Sequence, residues 1–235
     1  MAHTYVMKDN AARKRAAVAK WLYALSGVLV AFFGAAFGEA YRLLIGLASL
    51  LLIPGLSAVY RAFDLARSWL LELWIYAFAY LSVILGGCFD FYMKIGGFDK
   101  LVHMLSGAFT AQIALALYLY LERGRPIARQ NAATALFFVF FTAMAVAALF
   151  EIVEFALAPV VGRDLQRVLT TGVTDTITDM IVCMLGALSA LPLIARFYRG
   201  KRDPFTGAAV AFFCKNLHPE DEPSGAGRES IPDYR

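Results

Sequence analysis

The chain has 235 residues, of which 60% are hydrophobic and only 17% are charged, and its mean hydropathy is +0.62. These values exclude an ordinary soluble domain, in which about a quarter of the residues are charged, and indicate an integral membrane protein. The net charge of +4 comes from Lys and Arg at the ends of apolar segments, which fits anchoring to anionic lipid headgroups and gives no indication of nucleic-acid binding.

Apolar segments close to the roughly 20 residues that a helix needs to cross a bilayer recur along the chain. After a basic segment at 1–19, we predict six spans, at residues 20–38, 43–60, 69–89, 100–121, 132–157 and 173–195. The expected fold is therefore all-α, a polytopic membrane protein with a six-helix transmembrane bundle over 20–195. Pro54 is expected to kink the second span, since proline removes an intrahelical hydrogen-bond donor.

The distribution of Lys and Arg predicts the orientation, because cytoplasmic loops retain positive charge. With six spans, 17 of the 22 basic residues fall on the side of the two termini. We therefore expect a multi-pass protein with both termini in the cytoplasm. The cytoplasmic tail, 196–235, contains an apolar stretch at 205–215 that is too short to span, so we expect it to lie at the inner interface or dock on the bundle.

Three of the predicted spans carry acidic or imidazole side chains near their outer ends. The spacing is i,i+4 or i,i+3 within each span, so each pair shares one helix face. Small residues continue these faces, as they do where membrane helices approach closely. We expect the pairs to point toward one another and to form one polar site, with the candidate residues Asp99, His103, Glu151, Glu154, Asp175 and Asp179.

Five carboxylates and an imidazole in one poorly hydrated site would repel one another if all the carboxylates were ionised. No Lys or Arg lies on the predicted polar faces, since Lys100 follows Asp99 by about 100° around a helix. A divalent metal would neutralise the site, and acidic and His pairs on facing helices hold metals in four-helix carboxylate proteins. We therefore predict that the six residues bind Zn, Mn, Fe or Mg, with no organic cofactor.

Two simpler interpretations of these residues remain open. Asp99 and Asp175 are the outermost of the set, and each is placed to cap the N-terminus of its span, where the helix dipole favours a carboxylate. Protonated carboxyl groups that hydrogen-bond between helices would also account for the set without a metal.

Three sequence blocks carry these residues in a fixed order: FDKLVHMLSG, ALFEIVEF and GVTDTITDMIVCMLGA. In this order they resemble the YjdF-like family of bacterial inner-membrane proteins, and the resemblance covers roughly residues 69 to 195. It implies that the six candidate residues occupy the family's polar positions. The family usually has Trp after the second Glu of the middle block, where this chain has Phe155. The resemblance implies a location in the bacterial inner (plasma) membrane, and it implies no particular reaction.

Three functions are compatible with this pattern, and the sequence does not decide whether the protein is an enzyme. A bound metal could activate water against a lipid or cell-envelope substrate. Alternatively, the protein is a structural or accessory subunit of a larger membrane complex, with other membrane proteins as partners beside the lipids. In a third interpretation, the carboxylates and His103 relay protons or cations across part of the membrane.

Overall fold

A computed structural model describes residues 2–122 and 129–201, together with residues 206, 207, 209, 212 and 216 of the tail; the side chains of 2–10 and 129 are not described. The chain forms two compact units, Met1–Asp99 and Lys100–Arg235.

The first unit is built from helices joined by short turns. Its elements are α1 (Ala2–Ala36), α2 (Ala40–Leu50), α3 (Leu52–Ala62), α4 (Trp69–Ala79), a π-helix (Tyr80–Cys88) and α5 (Phe91–Lys94). The α1 helix continues through the basic N-terminal stretch. It packs against α2 and α4, and a glycine permits one of these close approaches, because a Cβ on Gly46 would lie 2.6 Å from the backbone nitrogen of Ala31.

The predicted kink in the second span is a break between α2 and α3 at Leu51. Pro54 has no N–H to donate to the carbonyl of Leu50, so the α-helical ladder is interrupted one turn before the proline. The helix resumes at Leu52, with Pro54 in its first turn, where a missing donor costs little.

Two tyrosines and an ion pair hold the first unit together. The Tyr23 hydroxyl donates a hydrogen bond to the carbonyl of Ser49 at 2.9 Å, and its ring contacts that of Tyr76. Near the start of α4, the buried Glu72 accepts a hydrogen bond from Arg67 at 3.2 Å. An ionised carboxylate this deeply buried requires such a partner.

The third span changes its helical geometry part-way along. After α4, the chain continues as a π-helix that ends at Cys88, and the amide of Phe89 donates to the carbonyl of Ile84, five residues earlier. Close packing accompanies this wider helix, since a Cβ on Gly86 would collide with the ring of Tyr92. The apolar pattern of residues 69–89 predicts a span but not this change.

The second unit contains the remaining long helices. Its elements are α6 (Phe98–Leu121), a 3-10 turn (Arg129–Asn131), α7 (Ala132–Val161), α8 (Val168–Thr171) and α9 (Thr174–Phe197). The division between the units falls inside the first turn of α6, so Asp99 is carried by the same helix as the residues that follow it.

Helices α6 and α9 approach each other closely through two glycines. A Cβ on Gly107 would collide with the carbonyl of Cys183, and a Cβ on Gly186 would collide with the carbonyl of Met104. Both glycines are buried. Small residues at such a crossing bring the backbones within van der Waals contact, as is typical of helices packed in membranes.

The all-α fold class and the six spans are confirmed, and the residues that the structure describes include no strand. Six of the described helical segments are long and apolar enough to cross a membrane: Ala11–Ala36, Ala40–Ala62, Trp69–Cys88, Phe98–Leu121, Ala132–Val161 and Thr174–Phe197. These bounds agree with the predicted ones except at the N-terminal end of the first span and at the C-terminal end of the fifth. The cytoplasmic orientation of the termini and the domain limits stay predictions.

Most of the tail, including most of the predicted 205–215 stretch, lies outside the described residues. Four described residues beyond 201 are buried and spaced by three or four positions: Thr206, Ala209, Phe212 and Asn216. This is the spacing of one helix face. The burial and the spacing of these residues fit a stretch that docks on the protein, which is the second of the two placements expected for it.

The glycine crossing predicts a mutational effect. Gly186→Ala should lower the free energy of unfolding by about 1 to 3 kcal/mol, because the added methyl group meets a backbone carbonyl that cannot move without separating α6 from α9. Thermal unfolding in detergent measures the change. Gly55→Ala is the matched control, since a Cβ at Gly55 meets nothing within 4 Å. Equal melting temperatures for the two variants would contradict the crossing.

Candidate functional site

Four of the six predicted residues lie in the first two turns of their helices, as expected, whereas the two on α7 lie further inside their helix than predicted. Asp99 and His103 are one turn apart at the start of α6, and Asp175 and Asp179 are one turn apart at the start of α9. Glu151 and Glu154 lie ten and seven residues before Val161, the last residue of α7. Asp175, Asp179 and Glu151 are buried, and the other three are partly buried.

Lys100 bridges the two carboxylates of α9. Its Nζ donates to Asp175 Oδ1 at 2.7 Å and to Asp179 Oδ1 at 2.8 Å. The lysine side chain is 31% exposed, whereas those of Asp175 and Asp179 are 8% and 5% exposed. The expectation that no Lys or Arg reaches the polar faces is therefore wrong. Two of the buried carboxylates already have a cationic partner from the neighbouring helix.

The prediction is wrong because it considers only the direction in which each side chain leaves its helix and neglects the length of the side chain. A lysine that leaves its own helix about 100° away from the polar face can still reach the polar face of a neighbouring helix, because its four-carbon stem is long and flexible. The glycine crossing of α6 and α9 shortens the distance further. The ammonium thus reaches Asp175 and Asp179 while part of the side chain stays in contact with the exterior.

Arg167 adds a second cation beside Asp175. Its Nε lies 3.8 Å from Asp175 Oδ2. Arg167 has a φ of 53°, a left-handed conformation that is uncommon for this residue type. The turn that contains it is fixed by Asp164, whose two carboxylate oxygens accept hydrogen bonds from the amides of Val168 and Leu169, both at 2.8 Å. The sequence offers no signal for this placement, because it depends on the loop conformation.

His103 lies against α9 and α7. Its Nε2 is 3.8 Å from Asp179 Oδ1, and its ring is in edge contact with that of Phe150, with centroids 6.0 Å apart. One turn further along α6, Ser106 donates to the carbonyl of His103 at 2.7 Å, and its hydroxyl is 3.5 Å from the sulfur of Cys183. The expected small and weakly polar residues beside the site are thus in place.

Three of the six predicted residues come within metal-binding reach of one another. Asp99, His103 and Asp179 each offer one ligand atom, and these atoms all lie within 4.8 Å of one another. Two ligands on one ion with bonds of roughly 2.1 Å are at most about 4.2 Å apart, so a side-chain shift of under about 1 Å would close the set around an ion.

The other three predicted residues are not part of this group. Asp175 is paired with Lys100. Glu151 accepts a hydrogen bond on Oε2 from Nε2 of Gln166 at 3.0 Å, and the same nitrogen lies 3.1 Å from the carbonyl of Glu151. Glu154 lies one turn further along α7 and is partly buried. Whether any of the six residues binds a metal stays a prediction.

The contacts of Asp175 do not match those of an N-terminal helix cap. Asp175 is in the first turn of α9, where the helix dipole favours a carboxylate, but the residue at the cap position is Val173. The carboxylate of Asp175 is bonded to Lys100 rather than to a backbone amide among its described contacts. Its main interaction therefore links two helices.

Six membrane-spanning helices with a polar cluster at the ends of three of them define an integral membrane protein of the helical class. The chain belongs to a family described as "Predicted membrane protein (DUF2238)", whose model matches residues 18–200. No curated protein and no solved structure matches the chain. The membership agrees with the membrane-protein family expected from the three sequence blocks, and the YjdF-like name stays a prediction.

The bridging lysine predicts a stability effect. Lys100→Met should lower the free energy of unfolding by about 1 to 3 kcal/mol, less than for a fully buried pair, because Lys100 is partly exposed while its partners are not. Adding Asp175→Asn should recover part of the loss by removing one uncompensated charge. Thermal unfolding in detergent measures both, with the exposed Lys94→Met as the control. No loss in Lys100→Met beyond that of the control would refute the bridge.

Proposed function

We propose that the protein binds a divalent cation through Asp99, His103 and Asp179. The observation that carries the proposal is the convergence of two carboxylates and one imidazole to within 4.8 Å. His103 and Asp179 come from different helices, and their ligand atoms at 3.8 Å are already at a separation that a common ion accepts.

The ligand set favours some metals over others. An imidazole nitrogen with carboxylate oxygens suits Zn, Fe or Mn, whereas Mg usually takes oxygen ligands only. Three protein ligands leave at least one position for water, which is the arrangement of catalytic rather than structural zinc sites. A metal-bound water at neutral pH is a nucleophile, so hydrolysis of a lipid or cell-envelope substrate is the reaction that we propose for such a site.

A specific observation favours a second candidate function. Lys100 and Arg167 already supply two cations to Asp175 and Asp179, so these carboxylates do not require a metal in order to be buried. In this alternative the cluster only locks α6 to α9, and the protein serves as a structural or accessory subunit of a membrane complex. In this alternative the ion pairs specify how α6 packs on α9, and removing one partner lowers stability because it leaves a buried charge uncompensated.

Metal content distinguishes the two candidates. Protein in detergent that is equilibrated with Zn²⁺ or Mn²⁺ should contain about one metal ion per chain by elemental analysis, since three ligands define a single site. His103→Gln and Asp179→Asn should each remove most of the metal, because each deletes a ligand while keeping the side-chain volume. Under the locking alternative, Asp179→Asn lowers thermal stability and changes no metal content.

Glu151→Gln is the matched control. It alters a buried carboxylate of the second unit that is outside the group of three, and the amide keeps an oxygen that can accept the hydrogen bond from Gln166. We expect this variant to retain its metal. Wild-type protein that neither contains a metal nor binds Zn²⁺, Fe²⁺ or Mn²⁺ on titration would refute the proposal, as would retention of the metal by Asp179→Asn.

A further inference from the structure

We infer that Lys100 is a built-in competitor for this site, and that a divalent cation binds Asp179 only when the Lys100 ammonium withdraws from it. The inference rests on the proposed metal site and concerns how that site is regulated. It makes Lys100 the residue that sets how tightly the site holds a metal.

The Lys100 ammonium and the proposed metal would bind the same oxygen atom. Asp179 Oδ1 accepts the hydrogen bond from Lys100 Nζ at 2.8 Å and lies 3.8 Å from His103 Nε2. An ion bonded to both His103 and Asp179 would therefore sit within a few ångströms of the ammonium. Two cations at that separation repel strongly in a poorly hydrated site, and a protonated lysine has no lone pair with which to coordinate the ion.

Lys100 has a second partner that it can keep when a metal binds. Its Nζ is 2.7 Å from Asp175 Oδ1 and 3.4 Å from the backbone carbonyl of Asp175. The stem is partly exposed, so rotation of its terminal bonds moves the ammonium away from Asp179 without breaking the pair with Asp175. Metal binding then exchanges one ion pair for coordination bonds and leaves the other ion pair in place.

This exchange has a consequence for affinity. The metal must offset the lost contact between Lys100 and Asp179, so its apparent affinity is lower than the three ligands alone would give. A site of this kind releases its metal when the free concentration falls. The geometry therefore points to an exchangeable cation and not to one that is permanently bound.

A charge-balanced double variant tests the inference. Lys100→Met with Asp175→Asn removes the competitor and its second partner, leaves the three ligands, and keeps the net charge. We expect its affinity for Mn²⁺ and for Zn²⁺, each titrated by itself into metal-free protein in detergent, to exceed that of the wild type by about tenfold or more. Lys100→Gln should show the same direction of change, and it serves if the double variant does not fold.

Two controls separate charge competition from a general effect. Lys100→Arg keeps the cation, so its metal affinity should not rise. Lys94→Met with Glu39→Gln makes the same change of charge at exposed residues that are not among the three proposed ligands, and it should leave the affinity within about twofold of the wild type, because salt screens exposed charges strongly.

The outcomes distinguish the inference from the proposal on which it rests. Wild-type protein that binds a metal, with no gain in Lys100→Gln or the double variant, overturns the inference and leaves the metal site standing. Binding by the variants but not by the wild type supports the competition and overturns a metal site in the native chain. If neither binds Mn²⁺ or Zn²⁺, both the inference and the proposal are wrong.

Discussion

The contact between Lys100 and the two aspartates of α9 is the interaction on which the arrangement of the second unit depends. A carboxylate in an apolar environment must find a counter-charge or give up its own charge. Lys100 supplies the counter-charge to Asp175 and Asp179 across the line where α6 meets α9. The contact is short because glycines at the crossing allow the two backbones to touch.

This contact changes the basis of the metal hypothesis. From sequence, the metal was needed to neutralise the acidic residues. In the structure, Lys100 and Arg167 face the two aspartates of α9, so neutralisation no longer requires an ion there. What remains is geometric: an imidazole and two carboxylates offer ligand atoms that lie within 4.8 Å of one another. This arrangement involves only three of the six predicted residues.

The sequence predicted the elements of the fold well because hydropathy over about 20 residues is a strong local signal. It also predicted which residues share a helix face, because the i,i+4 spacing of Asp99 with His103, or of Asp175 with Asp179, depends only on helical geometry. The break at Leu51 follows from the chemistry of Pro54.

The features that the sequence did not reveal depend on tertiary structure. The reach of Lys100 to α9 requires knowledge of how closely two helices pack. The position of Arg167 depends on a left-handed backbone conformation that no local sequence pattern predicts. The π-helix within the third span likewise has the same apolar composition as an α-helical span would have. Spacing within one helix was therefore predictable, and contacts between helices were not.

The segment between α7 and α9 contributes side chains to the site. The site is therefore formed by helix residues together with the chain that connects the two helices. Gln166 and Arg167 are adjacent, yet Gln166 bonds to Glu151 of α7 and Arg167 faces Asp175 of α9. Neighbouring side chains can serve two helices in this way because the left-handed conformation at Arg167 redirects the chain. Asp164 fixes that turn through two backbone amides. Polar residues outside the spans therefore take part in partnering the carboxylates within them: Lys100 belongs to a membrane helix, whereas Arg167 and Gln166 belong to the connecting segment.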